Sequence, residues 1–271
     1  MEDEFLKQVK EVALEAAKEA GVLLMKGFDR VKVVEFKDRQ DICTNLDLES
    51  EKIIIDKIKD NFPDHNISSE EAGEDNNNSD FNWVIDPIDG TKHYLRGLPL
   101  FCISIALVKE KEIIFGLVFN PATNEMFYAT KGQGAFLNDK KIYVSDKEEL
   151  ADSFVFAELP TYKLLDEELK ENIDKLEKLF KKSYRVRAFG SGALSLCYLA
   201  MGAAEAYIVF GNRTKLCDLA AGIVIVQEAG GKIINLGEGD LINQNSSATK
   251  EINIVASNNK VHEDILNLLK N

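Results

Sequence analysis

Two aspartates and the residues around them carry the strongest chemical signal in the chain. The stretch Trp83-Val84-Ile85-Asp86-Pro87-Ile88-Asp89-Gly90-Thr91 ends an apolar run in two carboxylates three positions apart. That spacing lets both share one cation or straddle two. Pro87 fixes the backbone between them, and Gly90 lets the chain approach a ligand closely. A helix starting after Gly90 would turn its free N–H groups towards a phosphate. Hard oxygen ligands beside such a turn suit Mg²⁺, which takes one or two carboxylates together with water and substrate oxygens. Taken alone, the same stretch is equally an acidic turn, because Asp-Gly is common in hairpins.

Other acids lie far away along the chain. Glu70, in Ser69-Glu70-Glu71, follows a short apolar strand, and Asp218, in Leu216-Cys217-Asp218-Leu219-Ala220-Ala221-Gly222, sits where an N-cap belongs. Singly, Glu70 reads as a solvated loop acid and Asp218 as a cap. Upstream, Asp41, Thr44, Asp47 and Glu51 follow Lys37, the pattern of an exposed helix start with favourable dipole charges.

Spacing excludes several phosphate chemistries. An aspartyl-phosphate hydrolase needs two aspartates separated by one residue, and Asp86 and Asp89 are separated by two. No cysteine is followed six positions later by arginine, so a cysteinyl-phosphatase loop is absent. Gly90-Thr91-Lys92 does not make a P-loop, and Gly132-Gln133-Gly134 lacks the third glycine of a dinucleotide fingerprint. Phe189-Gly190-Ser191-Gly192 lacks the first glycine of a nucleophile elbow and reads as a tight turn into a helix.

The elements that must position these residues follow from periodicity. Phe5, Val9, Val12, Ala16, Ala20 and Leu23 predict an amphipathic helix over about 4–27. Val31–Phe36 reads as a strand, Asp47–Asn61 as a helix with Ile53, Ile54 and Ile58 inward, and Asn76–Asp80 as a polar loop. Strands are expected at Trp83–Ile85, Phe101–Val108, Ile113–Phe119 and Glu125–Thr130. Then come a strand at Ser153–Ala157, a charged helix near Asp166–Lys182, a strand at Arg185–Ala188 and a helix after Ser191. A strand at Ala206–Phe210, a helix over Asp218–Ala229 closed by Gly230-Gly231, a strand at Ile252–Ala256 and a final helix complete the chain. This order suggests a layered α/β or α+β sandwich.

The 271 residues, 45% hydrophobic and 29% charged, can bury a substantial core as one large domain or two closely packed halves. The net charge of −13 opposes binding to nucleic acid or anionic membranes. A phosphate-ester enzyme of this charge needs a local positive source, which divalent cations would supply. The longest apolar runs are too short to span a bilayer, and the Glu2-Asp3-Glu4 start is unlike a signal peptide, so a cytoplasmic protein is expected. Four cysteines without CxxC spacing and three histidines argue against zinc, and the cysteines read as reduced, buried thiols.

Asp41–Asp47, Glu70-Glu71, Trp83–Thr91, Gly190-Ser191 with Ala193-Leu194, and Asp218–Gly222 followed by Glu228–Gly231 together resemble the inositol monophosphatase family, within the lithium-sensitive, metal-dependent phosphatases. The likeness runs in order over nearly the whole length, and the pairing of the Asp86–Thr91 block with the later Asp218–Gly222 block makes it specific. It implies an α/β (α+β) layered αβαβα sandwich: a single phosphatase unit over 1–271, with an N-terminal half (about 1–145) carrying most metal ligands and a C-terminal half (about 150–271) closing the site. By resemblance, Glu70, Asp86 and the Ile88 carbonyl hold one Mg²⁺, and Asp86, Asp89 and Asp218 a second. A weaker third ion is shared with Glu70, and Mn²⁺ substitutes. Gly90 and Thr91 offer N–H groups to the phosphate, flanked by Asp89 and Asp218. Thr91, bonded to Asp47, helps Glu70 activate water. Lys37 belongs to a loop near the site, and Arg187, Ser191 and Gly192 face the alcohol.

The implied activity is hydrolysis of a small phosphorylated alcohol or sugar by metal-activated water, without a phosphoenzyme, in a homodimer that binds neither nucleic acid nor membrane. Inositol monophosphate is the first substrate expected. Fructose 1,6-bisphosphate, a 3′-nucleotide bisphosphate and histidinol phosphate are alternatives, and a non-catalytic metal- or phosphate-binding regulator is the alternative of another class. The chain departs from the family on the alcohol side. No glutamate stands shortly before Asp218, Cys217 replaces a tryptophan, Gly192 replaces a common alanine, and Lys92-His93-Tyr94 follows the Thr91 block. Arg213 and Lys215 are either surface residues or ligands of a second phosphate.

Overall fold

The computed structural model describes residues 2–28, 33–36, 42–211 and 214–270. Helix α1 (Glu2–Gly27) is followed by an antiparallel ribbon of β1 (Val33–Phe36) and β2 (Ile42–Thr44), then α2 (Asn45–Asn61). An eight-stranded sheet is formed by β3 (Asn66–Ser69), β4 (Gly73–Asp75), β5 (Phe81–Asp89), β6 (Cys102–Lys109), β7 (Glu112–Asn120), β8 (Glu125–Thr130), β9 (Gly134–Leu137) and β10 (Lys140–Ile142). Its order is β10-β9-β8-β7-β6-β5-β3-β4, with the one-turn helix α3 (Thr91–Tyr94) after β5. The second sheet contains β11 (Phe154–Ala157), β12 (Arg185–Arg187), β13 (Ala206–Ile208), β14 (Lys232–Asn235) and β15 (Ile254–Ser257), in the order β12-β11-β13-β15-β14. Its helices are α4 (Asp166–Lys182), α5 (Gly192–Ala200), α6 (Leu216–Glu228) and α7 (His262–Lys270).

The period-two alternation of the central strands sorts side chains between two layers. Trp83, Ile85, Ile103, Ile105, Phe115 and Leu117 pack with Val9, Ala13, Ala16 and Leu24 of α1 and Ile54 and Ile58 of α2. Their neighbours Val84, Cys102, Ala106 and Val118 pack instead with α5 and α6. Both faces are buried, which is why these strands read as continuous apolar runs. Gly116 permits the close fit of α6: a Cβ there would lie 2.6 Å from the Ala221 carbonyl oxygen. On the far side of α5 and α6, Tyr207, Ile254 and Ala256 of the second sheet close the same core. Its other face, with Val155, Ala206, Ile208 and Val255, packs against Leu176 and Leu179 of α4 and Ile265 of α7. The five layers are therefore αβαβα. Among the described residues no helix is long and apolar enough to cross a membrane.

Element bounds differ from the sequence expectations where caps and bulges intervene. Helix α2 begins two residues early because Thr44 caps it. The Thr44 hydroxyl accepts from Leu46 N at 3.2 Å, and Asp47 returns a carboxylate to Thr44 N at 2.9 Å. Helix α6 begins at Leu216, so Asp218 is its third residue and not its N-cap, as its spacing had implied. Glu51, read as an exposed helix-start acid, is 2% exposed.

Candidate active site

Strand β5 does not stop at Ile85 but runs through Asp89, with Asp86 paired to Ser104 and Asp89 to Cys102 on β6. Three steps on β5 thus match two on β6, a one-residue bulge. In a regular strand residues three apart face opposite sides. The bulge cancels that inversion and brings both carboxylates to the α5–α6 side. Pro87 sits inside the bulge, where it has no ladder bond to donate.

Glu70 reaches the same place from the neighbouring strand. Strand β3 runs parallel to β5, and Glu70 N continues the ladder to Ile85 O at 3.2 Å. The turn after β3 is held from α2, where Glu51 accepts from the Ser69 hydroxyl and, at 2.9 Å, from Glu71 N. Asp218 arrives from the first turn of α6, with Oδ2 accepting from Lys215 N at 2.9 Å. Ser104 Oγ donates to Cys217 O at 3.0 Å and ties that turn to β6. Ligand atoms of Glu70, Asp86, Asp218 and the Cys217 thiol lie within 4.8 Å of one another. Glu70, Asp86, Asp89 and Asp218 all line one cleft of about 330 Å³.

Asp89 is turned a little aside. Its Oδ2 accepts from Ser191 Oγ at 2.6 Å and Ala193 N at 2.9 Å, both at the start of α5. Asp86 Oδ1 accepts from Ile88 N at 2.9 Å. Thr91 Oγ1 lies 2.9 Å from Ile88 O and 3.3 Å from Asp47 Oδ1. Gly90, with φ of 88°, is in the left-handed region, and a Cβ there would lie 2.6 Å from Leu100 O. Only glycine fits this turn. The helix behind it has four residues, so it carries no long helix dipole.

Crowded, buried carboxylates dominate the electrostatics of the cleft. Burial, then Glu70, Asp218 and Asp89, pushes Asp86 well above the usual carboxylate range. Burial raises Asp89 to about 7 against the lowering bonds from Ser191 and Ala193. Burial followed by Asp89 and Glu70 raises Asp218 to about 8. Asp47 is raised to about 7, again chiefly by burial, with Thr44 opposing. Carboxylates crowded out of water in this way are stabilised by a divalent cation. The predominantly oxygen donor set fits Mg²⁺ or Mn²⁺, and the Cys217 sulfur is its one soft member.

Several residues fall elsewhere or were not foreseen. Gly192 lines the cleft, while Ser191 lies beneath it, 1% exposed. Arg187 does not line it. It is exposed on the edge strand β12 and donates to Val186 O at 2.9 Å. Lys37, Asp41 and Arg213 lie outside the described residues. Glu158, just after β11, enters the cleft and accepts from Tyr207 OH at 3.1 Å. Burial raises its pKa. Lys215 enters it too, with Nζ 2.9 Å from Glu70 Oε1. Cys217, expected as a buried thiol in a tryptophan's place, brings its sulfur to the acid cluster. Nothing periodic marks these residues, because each depends on where a distant element ends.

The chain's family is decided by comparison across its length. The model of the inositol monophosphatase family matches residues 6–271. This chain belongs to the inositol monophosphatase family. Among relatives of this family member, the Nus factor SuhB of Pasteurella multocida is 34% identical over 96% of this chain and 94% of its own. The fructose-1,6-bisphosphatase/inositol-1-monophosphatase of Aquifex aeolicus is 35% identical over 98% and 97%. The crystal structure of the extragenic suppressor protein suhB from Bartonella henselae superposes with a TM-score of 0.87 at 30% identity, covering 97% of this chain and 98% of that one. The layered αβαβα architecture of this inositol monophosphatase family member is thus shared along both chains.

Proposed function

We propose that this protein is a Mg²⁺-dependent phosphomonoesterase acting on a small phosphorylated polyol, inositol monophosphate foremost, with Mn²⁺ able to substitute. The observation that carries the reading is the convergence of Glu70, Asp86 and Asp218, from three distant segments, at one cleft. In this reading Glu70, Asp86, Asp89, Asp218 and the Ile88 carbonyl hold two or three ions. When bound, these supply positive charge to phosphate oxygens and make water more acidic. Gly90 and Thr91 present backbone N–H groups to the ester. The Thr91 hydroxyl, shared between Asp47 and Ile88, orients the attacking water, and Glu70 takes its proton. The alcohol faces Gly192, with Ser191 beneath it holding Asp89. The buried, reduced thiols of Cys43, Cys102, Cys197 and Cys217 fit a reducing, cytoplasmic setting. A homodimer is part of the same proposal, checked by light scattering.

A second reading, fructose 1,6-bisphosphate, is favoured by Lys92, Lys163 and Lys215 at the cleft and by the double name of the Aquifex relative. Colorimetric phosphate release with and without Mg²⁺ tests both, comparing kcat/KM for inositol 1-phosphate and fructose 1,6-bisphosphate. Adenosine 3′,5′-bisphosphate and histidinol phosphate complete the panel. Activity on the first substrate and little on the others supports the primary reading. No Mg²⁺-dependent release from any of them would leave a non-catalytic metal- or phosphate-binding protein.

A further inference from the structure

One cation at the acid cluster belongs to the chain itself. Lys215 Nζ donates to Glu70 Oε1 at 2.9 Å, and the two side chains are only 22% and 13% exposed. The same residue also holds Asp218, because its backbone N–H donates to Asp218 Oδ2 at 2.9 Å. Lys215 thus touches two of the three carboxylates that meet at the cleft floor, one through its side chain and one through its main chain.

We propose that Lys215 is an intramolecular counter-cation that sits on Glu70 until a divalent ion replaces it, so that metal uptake and release of the ammonium are one exchange. This rests on the reading that Glu70, Asp86 and Asp218 bind divalent cations. The physical argument is competition for one oxygen. An ammonium hydrogen and a cation approaching Glu70 Oε1 both seek its lone pairs, and like charges at that distance repel. No proton moves, since the ammonium keeps all three hydrogens and swings into the cleft.

Lysine suits such a role. Its charge is compact and strongly hydrated, so it is readily returned to water, and its stem of four methylenes lets it leave without moving the backbone. The main-chain bond to Asp218 stays in place throughout. Exchange adds two charges from the metal and frees a third within the cleft. The net charge of the cleft rises by the ion's two, and the released ammonium is free to turn from Glu70 towards an anionic ester.

The test uses the full-length protein stripped of metal and titrated with MnCl₂ and MgCl₂ by calorimetry, with thermal melts in parallel. Lys215→Met, which retains the main-chain bond, should bind Mn²⁺ about tenfold more tightly, the scale of one charge-assisted hydrogen bond. Its metal-free form should melt lower than wild type, and Mn²⁺ should raise its Tm by more. Lys92→Met removes the same charge from α3 at the same cleft and should bind Mn²⁺ within about twofold of wild type. Should Lys215→Met fail to fold by circular dichroism, Lys215→Gln carries the same expectation. Unchanged or weaker Mn²⁺ binding in the Lys215 variant overturns the exchange, and so does equal tightening in Lys92→Met, which would make the effect one of net charge. If wild type binds neither ion, the underlying metal reading falls with it; if wild type binds and Lys215→Met matches it, the exchange falls alone.

Discussion

On the wall of the cleft that carries Glu70, Asp86 and Asp89, each residue makes a main-chain hydrogen bond that helps to fix it. Glu70 continues a parallel ladder, Asp86 accepts from Ile88 N, and Asp89 accepts from Ser191 and Ala193. A second wall is made by Glu158 and Lys163 on the connection after β11 and by Lys215, which reaches Glu70, on the one before α6. They are joined by side-chain bonds such as Tyr207 to Glu158 and by loop contacts such as Thr161 N to Gly211 O. The first wall is preorganised and short-stemmed, which suits charge that must not shift during a reaction. The second has long stems on loops, which suits selection among alcohols. Under the proposed function, chemistry and specificity are built from different materials and should fail differently.

Breaking the first wall should have the largest effect. Asp89→Asn or Glu70→Gln is expected to lower Mg²⁺-dependent kcat by ~10³-fold or more, several kcal/mol of lost charge stabilisation, with unchanged circular dichroism. Near-native rates in both variants would remove the site assignment. Gly90→Ala comes next. It forces φ of 88° on a residue with a Cβ and sets that Cβ 2.6 Å from Leu100 O. The combined cost is about 2–4 kcal/mol, read as a fall in denaturant midpoint. A midpoint equal to wild type would mean that the turn relaxes and the wall is softer than argued.

The pH dependence sharpens the same wall. Asp89 and Asp47 are raised to about 7 and Asp218 to about 8, from an ordinary value of 3.8. Between about pH 4 and 8 the folded protein therefore holds protons that the unfolded chain has released, so its stability falls as pH rises through that window. The metal-free Tm should decline from pH 5 to 8, and saturating Mg²⁺ should flatten the decline. Parallel Tm curves with Mg²⁺ and with chelator would show that no ion answers the crowded charge.

How much of this was legible in the sequence depends on whether a residue's role is local. Helix α4 and strand β8 lie where periodicity puts them, because a run of side chains on one face is written in spacing alone. The short strands β4, β9, β10 and β14 carry three or four residues each, too few to show a period. In the site, Asp86 and Asp89 were legible as a pair, but the bulge that aims them together was not, since it is defined by the count on β6. Lys215 was legible only as a surface cation or a ligand of a second phosphate, and Glu158 was not legible at all as a residue of the cleft. They are joined to it by where β11 ends and α6 begins, and no spacing within either segment records that.

The second wall should yield smaller effects. Tyr207→Phe removes the hydroxyl bonded to Glu158 and leaves that carboxylate's oxygen short of a partner, at a cost of about 1–2 kcal/mol in stability. A few-fold rise in KM with kcat preserved is expected, and a large fall in kcat would place Tyr207 in the chemistry and erase the division between walls.

Arg187→Ala is the mildest test and the most informative about where the second wall ends. Strand β12 is the edge of its sheet, and Arg187 is exposed there with a guanidinium bonded to its neighbour's carbonyl, away from the cleft lining. From this position the guanidinium contributes to substrate only if its long stem swings inward, and ordering that stem costs entropy on the order of 1–2 kcal/mol. KM for inositol 1-phosphate should therefore rise by about twofold or less, with kcat unchanged. A tenfold rise in KM would mean that substrate pulls Arg187 in and that the alcohol wall extends to β12. The two walls would then differ in mobility as well as in material.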